Sequence, residues 1–457
     1  MPTPRPTRLV AAILAAALIG TAWSSGLETI ELDGYRATFD PDQDFLVLEG
    51  ELDCTAFGGP AAVPVTETSG RLGEADYLVY QPAEWNGDLV LFAHGALPPF
   101  LPPGVFWFPL PLGVGPESED PQFSLFRDPM LCNGFAWAAS ASERYGVSVE
   151  EGMRDTHLLH AIAPHHLGAA PAATYVTGHS MGGLVAVALA ERFPHRYVGA
   201  LSTSAPLAGM VDAGAHFFHV RVLFDVFFPG LLEGPLDTEV AMTLPEFEAF
   251  VAELVARVQN DPSVLQRMAS VRFSGSERVD PEGIGAPLLA ADPAAADPAA
   301  EISSLLNSLL APLSGYLFTL DDFRARSGGS ARILDNRLIE YTGFGWTAEE
   351  EADLNARVLR IEADPWAVRY WTFNYTPSGE LRIPLVNLVG SHDPLEPIVS
   401  EWTYAQNVAR AGSSAWYSAW VTPRYGHFPT PQEYETAHLA LVDWVETGVR
   451  PTWPTSP

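Results

Sequence analysis

The stretch Ala173-Thr-Tyr-Val-Thr-Gly-His-Ser-Met-Gly-Gly183 decides the fold. A run of small, β-branched and aromatic residues leads into Gly178, and an Ala-, Val- and Leu-rich run leaves from Met181 until Pro194 stops it. That pattern predicts a strand over 173–177, a tight turn, and a helix over 181–192. A G-x-S-x-G sequence between a strand and a helix places its serine on a strained turn with Oγ exposed. Gly178 and Gly182 are needed there because a Cβ on either side would collide with the turn. Ser180 is therefore the candidate nucleophile, and the N–H of Met181, at the start of the helix, is a candidate oxyanion donor.

The flanking chain follows the same rhythm. Strands are expected at Tyr77–Tyr80, Asp88–Ala93, Gly134–Ser140 and Tyr197–Ser202, with a helix from Met153 to Ala163 that Pro164 closes. Strands alternating with helices argue for an α/β fold with a mostly parallel sheet flanked by helices. From residue 206 to 380 helical patterns dominate, among them Leu244–Gln259, Ile302–Leu313 and Ala348–Leu359, and Ala291–Ala300 reads as an irregular low-complexity loop. A buried-strand pattern returns at Ile383–Gly390. A helix (Ser400–Ala411), a strand (Ala415–Val421) and a last helix (Glu433–Thr447) follow. The chain thus divides into a signal peptide (1–25), a first core part (26–205), a helical cap or lid insertion (206–380), a second core part (381–450) and a loose tail (451–457).

Partners for Ser180 are expected after late strands, acid before histidine. Asp393 lies in Gly390-Ser-His-Asp-Pro394, and His427 in Arg424-Tyr-Gly-His427, each just past a buried strand. His427 would move the proton, and Asp393 would hold its tautomer and balance its charge, with Glu396 as the reserve acid. The second oxyanion donor is expected at Ala96, after the strand that ends in His94-Gly95. The aromatic runs Phe100–Phe108 and Phe217–Phe228 are candidate walls for an acyl pocket, with ordinary packing between cap and core as the alternative.

Composition narrows the rest. The 457 residues are 47% hydrophobic, enough for a large core. There are 25 arginines, no lysine and 56 acidic residues, for a net charge of −31. Such a chain repels phosphate backbones and anionic lipid, which disfavours nucleic acid as a partner. Arg5 and Arg8 precede the apolar run Leu9–Gly20, and Ala22 and Ser24 suit a cleavage site, so the chain is expected to be secreted or periplasmic. That run is too short for stable membrane insertion. Cys54 and Cys132 could pair or stay as buried thiols. The histidines 157, 160, 165 and 166 fit no zinc spacing, and no nucleotide motif occurs, so neither a metal nor another cofactor is expected.

With these motifs in place the chain resembles the α/β-hydrolase superfamily, and within it secreted bacterial serine hydrolases and esterases with a large cap domain. The resemblance covers the two core parts through G-H-S-M-G-G, the early H-G, G-x-H-D-P-x-x-P and G-H-F. Asp335-Asn-Arg337, Leu354-Asn355 and Ala363-Asp-Pro365 resemble segments of such caps. It implies hydrolysis of a small-molecule or polymeric carboxylic ester through an acyl-enzyme on Ser180. A serine peptidase or aminopeptidase on the same scaffold is the alternative, with Glu301, Asp321, Asp322 and Asp364 as acids that could hold an amine. G-H-S-M-G-G is also similar to cutinase-like polyester hydrolases, which lack so long an insertion. Oligomeric state is left open by the sequence.

The charge carries one expectation of its own. Repulsion among uncompensated carboxylates opposes the compact state, and salt screens it over a Debye length of about 10 Å at 0.1 M and about 3 Å at 1 M. The melting temperature should rise from low salt to molar NaCl, and KCl should act alike; a flat or falling trend in thermal melts would show that the acids do not limit stability.

Overall fold

The site is carried by six parallel strands. In the computed structural model, which describes residues 28–39, 46–73, 75–96, 121–142, 146–232, 242–273 and 288–454, they lie in the order β7 (Ala136–Ser140), β6 (Leu89–Ala93), β8 (Thr174–His179), β9 (Gly199–Thr203), β12 (Leu385–His392) and β13 (Tyr417–Tyr425). β6, β7 and β9 are buried along their whole length, which explains their continuous apolar runs. Five antiparallel strands extend the β7 edge: β1 (Glu28–Leu32), β2 (Tyr35–Phe39), β3 (Leu46–Leu52), β4 (Val63–Leu72) and β5 (Ala75–Pro82). The expected alternation missed most of this half, because β4 reads VPVTETSGRL and is mostly only half-buried.

Helices cover both faces. α2 (Val149–Leu167) and α3 (Met181–Arg192) pack one face, and α1 (Pro121–Cys132) and α11 (Pro431–Thr447) the other, where Phe126, Leu131, Tyr434 and Trp444 form a second core. From β6 the chain goes to β7 on one side and then to β8 on the other. The strand order therefore reverses between β6 and β8, and ligands bind at the carboxyl ends of strands at such a switch point.

Residues 206–380 are mainly helical: α4 (Met210–Phe227), α5 (Leu244–Asn260), α6 (Pro262–Ala269), α7 (Pro298–Arg326), α8 (Ala348–Arg357) and α9 (Pro365–Asn374). A small antiparallel pair, β10 (Val271–Phe273) with β11 (Tyr341–Gly343), joins them. Asn336 and Asn355 anchor its irregular backbone, Asn336 through Ile361 N and Leu359 O, and Asn355 through both backbone groups of Tyr341. α10 (Val399–Ala411) packs beside the returning core strands.

Several boundaries differ from the expectations. Pro164 does not close α2, which runs to Leu167 and ends at Gly168 with φ 70°. Likewise α7 passes through Pro312 to Arg326. In both, burial of the helix outweighs the hydrogen bond that proline removes. The loop expected over 291–300 gives way at Pro298 to α7, which Asp297 caps by accepting from Ala300 N at 2.9 Å. The described part of the tail is docked, not loose: the Trp453 ring stacks on Trp420 at 4.8 Å, and its Nε1–H donates to Ser418 Oγ. Cys54 and Cys132 are paired, tying the β3–β4 connection to the end of α1. Residues 1–25 and the run Phe100–Phe108 lie outside the described residues.

Glu191 on α3 fastens the chain where it returns to the core. Its carboxylate accepts from Tyr375 Oη, Ser378 N and Oγ, Gly379 N and Tyr404 Oη, all between 2.6 and 3.0 Å. Behind it, Glu401 is fully buried against Asn387 and Tyr417. Burial pushes its carboxyl up to about 7, although both hydrogen bonds oppose the rise. Above the ordinary carboxylate range and up to about 7, the folded protein keeps a proton that the unfolded chain has lost. Stability should therefore fall as pH rises through that window, by on the order of 3 kcal/mol. Denaturation at about pH 5 and about pH 8 checks this, and Glu401→Gln should flatten the dependence.

Candidate active site

Ser180 sits between β8 and α3 with φ 57° and ψ −129°. This is a left-handed conformation that a side chain other than glycine adopts only under constraint. The constraint is packing. A Cβ at Gly178 would lie 2.0 Å from Gly182 O, and one at Gly182 would lie 2.0 Å from Ala93 O, so the turn fits only where both are absent. Ser180 N donates to Thr203 O at 2.8 Å, which ties the turn to β9. Met181 is the first helical residue, where an N–H has no acceptor within its own helix.

Asp393 and His427 come from the ends of β12 and β13. His427 Nδ1–H donates to Asp393 Oδ2 at 2.9 Å. Asp393 Oδ1 accepts from Leu395 N and Glu396 N at 2.9 and 3.0 Å, which orients the carboxylate. With Nδ1 acting as donor, Nε2 carries the lone pair; it is buried and has no hydrogen-bond partner among the described residues. Ser180, Met181, Gly95, Ala96 and His427 line one cavity. A Cβ at Gly95 would lie 3.6 Å from Ser180 Oγ, a measure of how closely the β6 loop approaches the serine. Every site residue expected from the sequence is brought to this place, Asp393 as the partner of His427. Glu396, the reserve acid, lines the cavity wall instead.

An α/β sheet with helices on both faces, a strained serine turn at its switch point, and an Asp–His pair after the two strands beyond β9 define the architecture. The chain has the α/β-hydrolase fold. A family model described as "Esterase: Putative esterase" matches residues 156–239, a stretch that contains the Ser180 turn, and the match supports ester hydrolysis in general. No curated protein matches the chain. Among solved structures, feruloyl esterase B from Aspergillus oryzae is 12% identical with TM-score 0.47, covering 94% of this chain and 89% of that one. The rice cell wall degrading esterase LipA from Xanthomonas oryzae is 13% identical with TM-score 0.37, covering 88% and 96%. Candida Antarctica lipase A is 13% identical with TM-score 0.40, covering 92% and 86%.

Further walls of the cavity come from α4 and α7: Met210 and Phe217 from the first, Phe318 and Phe323 from the second. The aromatic run at 217–228 divides accordingly. Phe217 faces the cavity, whereas Phe224 and Phe228 stack on one another at 5.1 Å in the interior of the insertion. The acids Asp321, Asp322 and Asp364 do not line the cavity. Asp321 pairs with Arg324, Asp322 with Arg326, and Asp364 caps α9. Glu301 lies in the first turn of α7, also away from it.

Two neighbours of the Asp–His pair carried no signal in the sequence. His179 is buried, and its ring lies 4.6 Å from that of His427 and 4.4 Å from that of Phe428. Thr203 Oγ1–H donates to Gly178 O, so Thr203 Oγ1 accepts from His179 Nδ1–H at 3.0 Å. Burial, then the nearby His427 and Arg424, hold the His179 imidazole well below its ordinary value, and it is neutral at pH 7. Arg424 Nη1 donates to the carbonyls of Gly426 and Phe428, on either side of His427, while its Nε lies 3.1 Å from Glu433 at the start of α11. One guanidinium thus pins the loop that presents the imidazole. Arg424→Met should lower kcat on a p-nitrophenyl ester by about tenfold or more with little change in KM, because the loss is one of positioning. Arg424→Lys, which keeps the charge but not the fork, should recover only part of it.

Proposed function

We propose that this chain is a secreted serine hydrolase that cleaves carboxylic esters through an acyl-enzyme on Ser180. One observation carries the reading. Ser180 on its strained turn shares a cavity with His427 Nε2, which has no hydrogen-bond partner among the described residues and whose other nitrogen is held by Asp393. In this mechanism Nε2 takes the proton from Ser180 Oγ as Oγ attacks the ester carbonyl. Asp393 stabilises the imidazolium. The N–H groups of Met181 and Ala96 receive the developing oxyanion, and the positive end of α3 adds to them. The imidazolium then gives its proton to the leaving alcohol. Water, activated by the same Nε2, releases the acid and restores Ser180.

Residues 206–380 act as a cap in this reading, since α4 and α7 supply the apolar wall above Ser180. The Cys54–Cys132 pair suits an oxidising compartment, in accord with secretion. None of Glu301, Asp321, Asp322 and Asp364, the acids expected to hold an amine in a peptidase, lines the cavity. Ser180→Ala should lower hydrolysis of p-nitrophenyl esters by about 10⁴-fold while the far-UV spectrum and melting temperature stay those of the wild type. A residual rate above about one per cent would point to another nucleophile. Faster turnover of aminoacyl anilides than of esters would favour the peptidase instead.

A further inference from the structure

Gly315 is the single glycine within α7, deep inside a 29-residue helix where alanine would be the better helix former. Its neighbour on α4 explains it. A Cβ at Gly315 would lie 3.0 Å from both Cε2 and Cζ of Phe217, and 3.6 Å from Cδ2. The first two distances fall inside the roughly 3.5 Å at which carbon atoms rest against each other. The ring is therefore seated on bare helix backbone. Gly315 and Phe217 both line the cavity that holds Ser180, so this contact is part of its wall. Phe217 spans from one helix to the other there.

The rest of that wall decides what meets the ring. Met210 and Ala213 share a face of α4 with Phe217, at spacings of three and four residues, and Ala311 and Phe318 flank Gly315 on α7 in the same way. The two hydroxyls that α7 brings to the cavity, of Ser314 and Thr319, donate to Ala311 O and Gly315 O, so their hydrogens are engaged within the helix. An apolar chain is what such a wall receives. Each further methylene laid along it gains by leaving water, until the chain meets a group in its way. The geometry points to Phe217, seated on Gly315, as that group, which sets the length of the alkyl chain the site accepts on an ester. This rests on the reading of Ser180 as the nucleophile. Phe217 takes no part in the bond changes. A methyl at position 315 would take the place of the ring's edge, and the ring, carried by α4, would give way into the cavity. Loss of the ring would lengthen the space between the two helices.

Two substrate series test it and tell the two ends of the ester apart. p-Nitrophenyl alkanoates from acetate to palmitate extend the acyl side, and n-alkyl acetates from ethyl to hexadecyl extend the alcohol side. In at least one series the wild-type kcat/KM should pass through a maximum with chain length. Phe217→Ala should move that maximum to longer chains and Gly315→Ala to shorter ones, each changing the ratio of long-chain to short-chain kcat/KM by about tenfold. In the double variant most of the Gly315→Ala effect should vanish, because the added methyl has no ring to displace. Profiles without a maximum in both series, or a maximum that Phe217→Ala leaves in place, overturn the proposal. So does a Gly315→Ala effect that persists in full without the ring, since it would then act through the helix and not through the contact. Should Gly315→Ala fail to fold, Phe217→Ala decides alone. Failure of the underlying reading looks different: Ser180→Ala would still hydrolyse the esters, whatever their length.

Discussion

The close approach of three pieces of backbone at Ser180 sets everything around it. The β8–α3 turn, its own following helix and the end of β6 meet so tightly that Gly178 and Gly182 have no room for a side chain. The serine between them is left with positive φ, at a cost of order 1–3 kcal/mol that the buried strands and α3 must outweigh. They can, because β6, β8 and β9 are fully buried and α3 is buried along nearly its whole length. The strained turn and the packed sheet are one arrangement: the first exists only where the second is rigid.

The same sheet brings distant residues together without long side chains reaching for each other. Asp393 and His427 leave the ends of neighbouring parallel strands, β12 and β13, and β9 separates β12 from β8. Parallel strands all end on one edge, so residues hundreds apart in the chain arrive on the same rim. Their final placement is local. Two backbone N–H groups orient Asp393, and Arg424 holds the carbonyls that flank His427.

That division explains what could be read in the sequence. That Ser180, Asp393 and His427 would meet was legible because each follows a strand expected in the parallel sheet, and the proposed chemistry calls for those residue types. β6 and the first part of β12 were legible because burial on both faces favours near-continuous apolar runs, and β8 because it leads into the G-x-S-x-G turn. α4 carries no one-sided stripe in the sequence, since it is apolar nearly all round and buried among other helices. The far half of α7 was hidden by Pro312, a helix breaker in water whose missing hydrogen bond matters less inside a packed insertion. The cavity wall was the least legible part. Phe217, Phe318 and Phe323 meet only through the packing of α4 and α7, and no spacing in the chain records that distance. Arg424 stood in the quoted R-Y-G-H stretch, yet nothing in its spacing said that it would turn back to hold its neighbours' carbonyls.

The paired imidazoles pose a last physical question. His179 Nε2 and His427 Nε2 are both buried without a hydrogen-bond partner among the described residues, a state that costs roughly 1–3 kcal/mol per group. For His427 the cost has a use in the proposed mechanism, since a nitrogen already engaged elsewhere could not take the serine proton. His179 needs a different account. Its ring lies 4.6 Å from that of His427, where two positive charges would repel strongly in a site with little water. Burial and the Arg424 charge keep His179 neutral, and Thr203 fixes its proton on Nδ1. Only one ring of the pair is then free to become charged. His179 gives His427 an uncharged neighbour, tilted at 52° to it, while Asp393 accepts from its Nδ1–H, and in the proposed mechanism that carboxylate answers the charge.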